Sequence, residues 1–317
     1  MLQHALCYHH YGPPSSALTL RIFPLPLLAA GKVRVKMRYA AVNPSDLIPV
    51  TGAYRHRTRL PATAGYEGVG VVVDAPPGVS VAPGQRVLPL RGAGTWQSYL
   101  DIDARWLVPV PDEIDDRLAA RAYINPLTAL LMLRRWPVAG QNIVLTAAGS
   151  SCASLLAQWA LLKGARSVSG AIRSQRHFHR LAQQGVYPVL ESDRLMLEQV
   201  SHHADRVFDA VGGGLANAIL SVLPERAELV SYGLLSGQAL SQTRATPRVY
   251  KFHLREALAA LSTAAWQAAF REIWPLLQAT QLPPAQVIPL SRWREAISAR
   301  APGDGHGKIL LDFTAED

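Results

Sequence analysis

Three observations predict an α/β chain of two domains. Residues 1 to about 119 carry short apolar runs with a two-residue period, broken by Pro and Gly turns. From about 120 to 262, short apolar strands alternate with helical segments, the pattern of a doubly wound parallel sheet. The last residues hold one or two helices and then a strand, Gly307-Lys-Ile-Leu-Leu-Asp-Phe, which is expected to return to the first domain. The predicted division is a β-rich domain of residues 1–119 and 263–317, and a parallel-sheet domain of residues 120–262.

Each element follows from its residues. Val33 to Ala40 alternates apolar and polar side chains, as a half-buried strand does. Gly68 to Asp74 is a β-branched run closed by Pro76-Pro77-Gly78. Val81-Ala-Pro-Gly-Gln-Arg-Val-Leu is a turn entering a strand, and Trp106 to Asp112 leads into a helix expected over Ile114 to Ala122. A helix is expected over Leu127 to Trp136, a strand over Asn142 to Ala147, a helix over Ser154 to Lys163, and a strand over Ser167 to Ile172. Strands ending Arg206 to Val211 and Glu228 to Gly233 continue the alternation. The closing helices are expected over Leu261 to Leu277 and Arg292 to Arg300.

Charged residues make up 17% of the 317 residues and hydrophobic ones 49%, which suits a folded enzyme-like protein and not a disordered one. No apolar run reaches the ~20 residues that a spanning helix needs. The first ten residues lack a basic start followed by an apolar core, so no secretory leader is expected. Two cysteines, Cys7 and Cys152, cannot build a four-thiolate zinc site, and reduced thiols in a cytoplasmic protein fit best. The net charge of +9 has two readings: surplus surface Arg, or attraction to a polyanion such as a dinucleotide phosphate, coenzyme A, an acidic carrier or nucleic acid.

A candidate cofactor turn lies between the first strand and helix of the second domain. Ala148, Gly149, Ser150, Ser151, Cys152 and Ala153 are small enough for a pyrophosphate to approach the main chain at a helix N-terminus. The glycine fingerprint usual for such turns is absent, and Ser154 stands where a Gly is common. The next strand ends at Arg173, Ser174 and Arg176 with no acidic residue. An acid there would bind a ribose 2′-hydroxyl, whereas Arg suits a 2′-phosphate, so NADPH is expected over NADH. The same loop is also readable as a solvated basic turn. Gly212, Gly213 and Gly233 close later strands, where glycine lets the backbone pass close to a cofactor.

Four stretches carry a family resemblance: Asn43-Pro-Ser-Asp46 with Gly52-Ala-Tyr54; Gly94-Thr95-Trp96; Ile124-Asn125-Pro126-Leu-Thr128-Ala129; and Ser231-Tyr-Gly-Leu-Leu-Ser236. With them, nearly the whole chain resembles the zinc-independent medium-chain dehydrogenase/reductases, in the branch of quinone oxidoreductases and mitochondrial-type trans-2-enoyl thioester reductases. The resemblance implies a GroES-like catalytic domain and a Rossmann-type cofactor domain. A zinc alcohol dehydrogenase would carry Cys near Ser45 and His at Tyr66, so the resemblance implies no metal.

What the resemblance implies for the site is specific. Tyr54 is the proton donor after hydride transfer from NADPH, and a phenol is a fitting general acid for an enolate carbon. Asn43, Asp46, Trp96 and Asn125 line the substrate pocket, with Trp96 shaping its acyl part, and Thr128 faces the nicotinamide. Val249-Tyr-Lys-Phe-His-Leu254 departs from the family, because Lys251 and His253 stand where the enoyl reductases place apolar pocket residues; a short or polar substrate is implied. The expected partner is a small molecule, with a CoA or carrier-protein thioester among the candidates, and the resemblance implies a homodimer. No membrane or nucleic-acid partner is expected. Three functions stay open: a reductase of an activated C=C bond, an NADPH:quinone reductase, and a non-catalytic NADPH- or RNA-binding relative.

Overall fold

The computed structural model describes residues 1–91, 94–241, 246–298 and 307–315. They form two compact units, one of Met1–Ile124, Thr263–Gln278 and Pro283–Asp317, the other of Asn125–Ser262 and Ala279–Leu282. The predicted boundary at 119/120 therefore moves to 124/125. The reason is local: Glu67 in the first unit accepts the N–H groups of Tyr123 and Ile124 and holds that segment. The short piece 279–282 joins the second unit because Thr280 accepts the Trp159 indole N–H at 2.8 Å and Gln281 accepts the Gln184 amide at 3.0 Å.

The first unit is built around the strand Lys32–Val42, whose Val33, Val35 and Met37 point into the core while Arg34 and Lys36 face outward. Gly68–Asp74 pairs with it on one side, followed in the sheet by Arg86–Pro89 and Leu107–Pro109. On the other side lies Ile309–Asp312, antiparallel, with Ile309 opposite Val42, and then Gln286–Pro289. Tyr99–Asp103 pairs with the first half of Lys32–Val42. A smaller antiparallel sheet joins Leu18–Pro24, Leu2–Tyr8 and Ala62–Thr63. Its inner face packs Leu6, Tyr8 and Leu18 with Val42, Trp96 and Trp293.

The second unit is a six-stranded sheet, parallel throughout. Its order is Tyr187–Leu190, Ser167–Ile172, Asn142–Leu145, Arg206–Asp209, Glu228–Ser231, Arg248–Lys251. In chain order that is 3-2-1-4-5-6, the doubly wound dinucleotide-binding arrangement. The reversal falls between the first and fourth strands, where such folds hold their ligand.

Helix starts differ from the sequence reading for identifiable reasons. The helix expected from Ser154 begins at Ser151, since the Ser150 hydroxyl caps it by accepting the Ala153 N–H at 3.3 Å. The helix expected from Leu127 begins at Ile124, with Pro126 tolerated in the first turn. The helix expected over Ile114 to Ala122 shrinks to Asp116–Ala119, started by the Asp115 carboxylate, which accepts the Arg117 and Leu118 N–H groups. The closing helices run Thr263–Gln278 and Trp293–Ser298; residues 299 and 300 lie outside the described residues.

Candidate active and cofactor sites

In the first unit, the strand Lys32–Val42 delivers Asn43 to the start of a one-turn helix, Pro44–Leu47. Proline suits the first helical position because its missing N–H would have no partner there. The Asp46 carboxylate reaches back to accept the Asn43 backbone N–H at 2.6 Å. Asn43 then donates its side-chain amide to Glu67 Oε1 at 2.8 Å. Lys308, arriving from the C-terminal strand region, lies 3.1 Å from the same oxygen and also donates to Asn43 Oδ1. Glu67 Oε2 accepts the N–H groups of Tyr123 at 3.2 Å and Ile124 at 2.8 Å.

Asn43, Asp46, Glu67 and Lys308 are all buried. A buried charge survives only when paired and hydrogen-bonded, and Glu67 and Lys308 meet that condition. Asp46 does so only in part, because its Oδ1 has no hydrogen-bond partner. Burial pushes its carboxyl up to about 7; the Asn43 N–H opposes the rise, Glu67 adds to it and Lys308 opposes it. The cluster therefore sets the Glu67–Lys308 ion pair beside a carboxyl that is raised to about 7. Sequence reading singled out Asn43 and Asp46 but not Glu67 or Lys308. Neither residue carried a signal in the sequence, where a lone lysine reads as surface.

Tyr54 lies half-buried in the turns after this helix. Its carbonyl accepts the N–H groups of Arg57 and Thr58, each at 3.0 Å, and the Thr58 hydroxyl at 3.0 Å. The Arg57 guanidinium sits over the phenol ring, 3.7 Å from its centroid. Tyr11 pins the loop by donating its hydroxyl to the Thr58 carbonyl at 2.9 Å. Gly52 has φ +87°, and a Cβ there would come within 3.0 Å of Tyr11, so the turn that presents Tyr54 needs glycine.

Trp96 is wholly buried, and its indole N–H donates to the Ala41 carbonyl at 3.1 Å. It packs in the core behind the strand that carries Asn43, and the neighbouring Thr95 hydroxyl donates to the Glu67 carbonyl at 3.1 Å. The Gly94-Thr95-Trp96 stretch thus braces the Asn43–Glu67 cluster.

In the second unit, the turn Thr146–Ser150 is tied to strands on both sides. Ala148 N–H donates to the Ala171 carbonyl at 3.0 Å. The Thr146 hydroxyl donates to Asp209 at 2.7 Å and accepts the Ala210 N–H at 2.8 Å. Asp209 also accepts the N–H groups of Val211 and Gly212, each at 3.0 Å, which shapes the next strand-to-helix turn. Ser150 caps the twelve-residue helix Ser151–Leu162, and the partial positive charge at that helix start faces the turn. Cys152 is buried in the first turn, its thiol 3.9 Å from the Asn125 carbonyl in the helix that also carries the buried Thr128.

Gly149 cannot be replaced without movement, since a Cβ would lie 2.8 Å from the His177 ring. Arg180 donates to the Gly149 carbonyl at 3.1 Å and to the Ser154 hydroxyl at 3.3 Å. Ser154, where a glycine is common, is thereby given hydrogen-bonding work with Arg180 and with Gln184 at 3.3 Å. Burial lowers the pKa of His177, helped by Arg180 and Arg176, and burial lowers that of Arg180. Arg173 and Arg176 are exposed beside Ser174, whose hydroxyl accepts the Arg176 N–H at 3.4 Å. Sequence reading named Arg173, Ser174 and Arg176 but passed over His177 and Arg180. Helical spacing of Arg176 and Arg180 was the missed signal. Gly233 is required by a close approach to protein: a Cβ would meet the Ala210 carbonyl oxygen at 2.6 Å.

Small residues at the turn, a capped helix start and a basic strand end fit a dinucleotide with a 2′-phosphate. Among the described residues, no three His, Cys, Asp or Glu side chains are grouped to hold a metal ion, and none of the helices is long and apolar enough to cross a membrane.

Comparisons with known proteins agree with this geometry. Residues 29–112 match the family model of the alcohol dehydrogenase GroES-like domain, and residues 182–311 that of zinc-binding dehydrogenases. The chain is 31% identical over 250 residues to the mitochondrial enoyl-[acyl-carrier-protein] reductase of Xenopus tropicalis, covering 74% of this chain and 71% of that protein. It is 30% identical over 251 residues to the Arabidopsis thaliana enzyme of that name, covering 75% and 67%. The match to the human enzyme is 29% identical and covers 74% of this chain and 66% of that protein, so the chain spans about two thirds of these relatives. A Bacillus thuringiensis structure assigned as an NADPH:quinone reductase superposes with a TM-score of 0.91 at 32% identity, covering 98% of this chain and 99% of that one. The complex of Etr1p with NADP and crotonyl-CoA shares the fold, with a TM-score of 0.84 at 20% identity over 98% of this chain and 100% of that one. The chain belongs to the medium-chain dehydrogenase/reductase superfamily, in the branch of the enoyl thioester reductases and quinone reductases.

Proposed function

We propose that the protein is an NADPH-dependent reductase of an activated carbon–carbon double bond, with a 2-enoyl thioester or related enone as acceptor. The observation that carries this reading is Tyr54, a half-buried phenol held on a pinned loop of a chain whose relatives include enoyl-[acyl-carrier-protein] reductases.

NADPH, when bound, supplies the hydride that goes to the β-carbon. The residues of the chain do the rest. Ala148, Gly149, Ser150, Ser151, Cys152 and Ala153 would cradle the pyrophosphate at the helix start, and Thr128 would face the nicotinamide. Arg173, Ser174 and Arg176 would hold the 2′-phosphate by charge-assisted hydrogen bonds. Asn43 and Asp46 would line the acceptor pocket, with Trp96 bracing the strand that carries Asn43. Tyr54 then gives its proton to the α-carbon as general acid.

A quinone reductase is the second reading, favoured by the 32% identity to the Bacillus thuringiensis protein across nearly the whole chain. A quinone accepts hydride without a protein acid. The deciding experiment follows NADPH absorbance with crotonyl-CoA and with a 1,4-quinone, for wild type and Tyr54→Phe. Thioester turnover that falls at least about tenfold in the variant, the lower range of general acid catalysis being ~100-fold, supports the first reading. Quinone-only turnover indifferent to the substitution establishes the second.

A further inference from the structure

We propose that Arg57 is a positioning residue for Tyr54, holding its ring and facing the charge that proton donation leaves on it; this rests on Tyr54 being the acid. Three observations carry it. The Arg57 guanidinium lies 3.7 Å from the centre of the Tyr54 ring, well inside the range of a cation–π contact. The geometry is imposed by the backbone, because Arg57 N–H donates to the Tyr54 carbonyl at 3.0 Å and Thr58 closes the same turn. The cation is also not paired with a carboxylate among the described residues. Asp46 is the only acid among residues 1–66, it is buried against Asn43, and no described carboxylate pairs with Arg57.

The neighbouring cations do not share this role. Arg55 turns its guanidinium to the Gly52 carbonyl at 3.3 Å, and Arg59 and His56 are exposed. Among the described contacts of the cluster, that of Arg57 covers the phenol face.

The chemistry explains why such a cation matters. Hydride addition at the β-carbon leaves an enolate. Its electron pair forms the α-carbon–hydrogen bond as the Tyr54 O–H bond breaks, and the bonding pair of that O–H stays on the phenol oxygen. The ring then carries a full negative charge until solvent water returns a proton. A ring face is already the negative end of the aromatic quadrupole, so a cation fixed above it is favoured before transfer and favoured more strongly after it. Interactions stronger in the transition state than in the ground state raise kcat and leave KM alone.

The test compares wild type, Arg57→Met, Arg57→Lys, Tyr54→Phe and the Tyr54→Phe/Arg57→Met double variant, with NADPH and crotonyl-CoA. Arg57→Met is expected to lower kcat about two- to fivefold, the size of an exposed cation–π contact, with KM for crotonyl-CoA unchanged. Arg57→Lys, which keeps the charge, should recover part of that loss. The solvent deuterium isotope effect on kcat should rise in Arg57→Met, because proton transfer becomes slower. In the Tyr54→Phe background, Arg57→Met should have no further effect. A rise in KM at constant kcat would overturn the proposal and make Arg57 a contact for the acceptor. An equal loss in the Tyr54→Phe background would also overturn it. Full turnover by Tyr54→Phe itself would instead remove the reading of Tyr54 on which it rests.

Discussion

Lys308 Nζ stands 3.1 Å from Glu67 Oε1, with both side chains almost wholly removed from water. The pair is completed by Asn43 and by two backbone N–H groups, so neither charge is short of partners. Lys308→Met should therefore destabilise the protein by about 3–5 kcal/mol, since it leaves the Glu67 carboxylate buried and uncompensated. Urea unfolding measures this. The double variant Lys308→Met/Glu67→Gln should regain a large part of the loss; no recovery would mean that Lys308 acts through packing alone.

Asp46 makes stability depend on pH. Its folded carboxyl is raised to about 7, above the ordinary 3.8, so the folded state holds its proton more tightly than the unfolded chain does. The associated stability is complete below about 4 and is lost as pH rises to about 7. Asp46→Asn keeps an acceptor for the Asn43 N–H and does not titrate. Its advantage over wild type should widen by about 2 kcal/mol between pH 5 and pH 8, given ~1.4 kcal/mol per pKa unit and some relaxation. Thermal unfolding across that range checks it, and parallel curves would contradict it.

His177 acts with the opposite sign. Burial, Arg180 and Arg176 lower its pKa from 6.5, so the unfolded chain binds a proton that the folded state resists. Stability should be complete above 6.5 and decline as pH falls below it. His177→Gln should flatten the acid side of the stability profile, read by the thermal midpoint between pH 7.5 and 5.5.

Arg173 and Arg176 should decide between the two nicotinamide cofactors. Replacing both with Ala should raise KM for NADPH about tenfold or more and leave KM for NADH nearly unchanged, if as proposed they hold the 2′-phosphate alone. Equal losses with both cofactors would place these arginines elsewhere on the nucleotide.

Gly94 is hemmed in by backbone. A Cβ there would lie 2.1 Å from the Thr63 carbonyl oxygen and 2.4 Å from that of Ala64, atoms that cannot swing aside. Gly94→Ala should cost about 3 kcal/mol or more, measured by urea unfolding, and should loosen the neighbouring Trp96–Ala41 hydrogen bond.

The parts of this molecule legible in its sequence are those set by local pattern. The two-residue period of Lys32–Val42, the small residues before Ser151–Leu162 and the missing acid after Ile172 each speak within a dozen residues. Helix starts were less legible, because Ser150 and Ser154 are equally good caps on paper and only the Ala153 N–H geometry chooses between them. Lys308 beside Glu67 was not legible at all. Nothing near either residue in the chain announces a partner so far away, and a lone lysine reads as surface. His177 and Arg180 were hidden for the opposite reason: a run of basic residues reads as solvated, and only packing against Gly149 and Ser154 sets these two apart.

The antiparallel pairing of Ile309–Asp312 with Lys32–Val42 bears on how the chain comes off the ribosome. The six parallel strands lie in one continuous stretch of chain and can assemble while the C-terminal segment is still being made. The other unit draws on chain to both sides of that stretch: its central strand waits for a neighbour, and Glu67 for its cation, until residues 308–312 have been translated. A premature stop after residue 282 would leave the nucleotide-binding half folded and the half bearing Tyr54 with an open sheet edge and a bare buried charge, a natural substrate for chaperones and proteases.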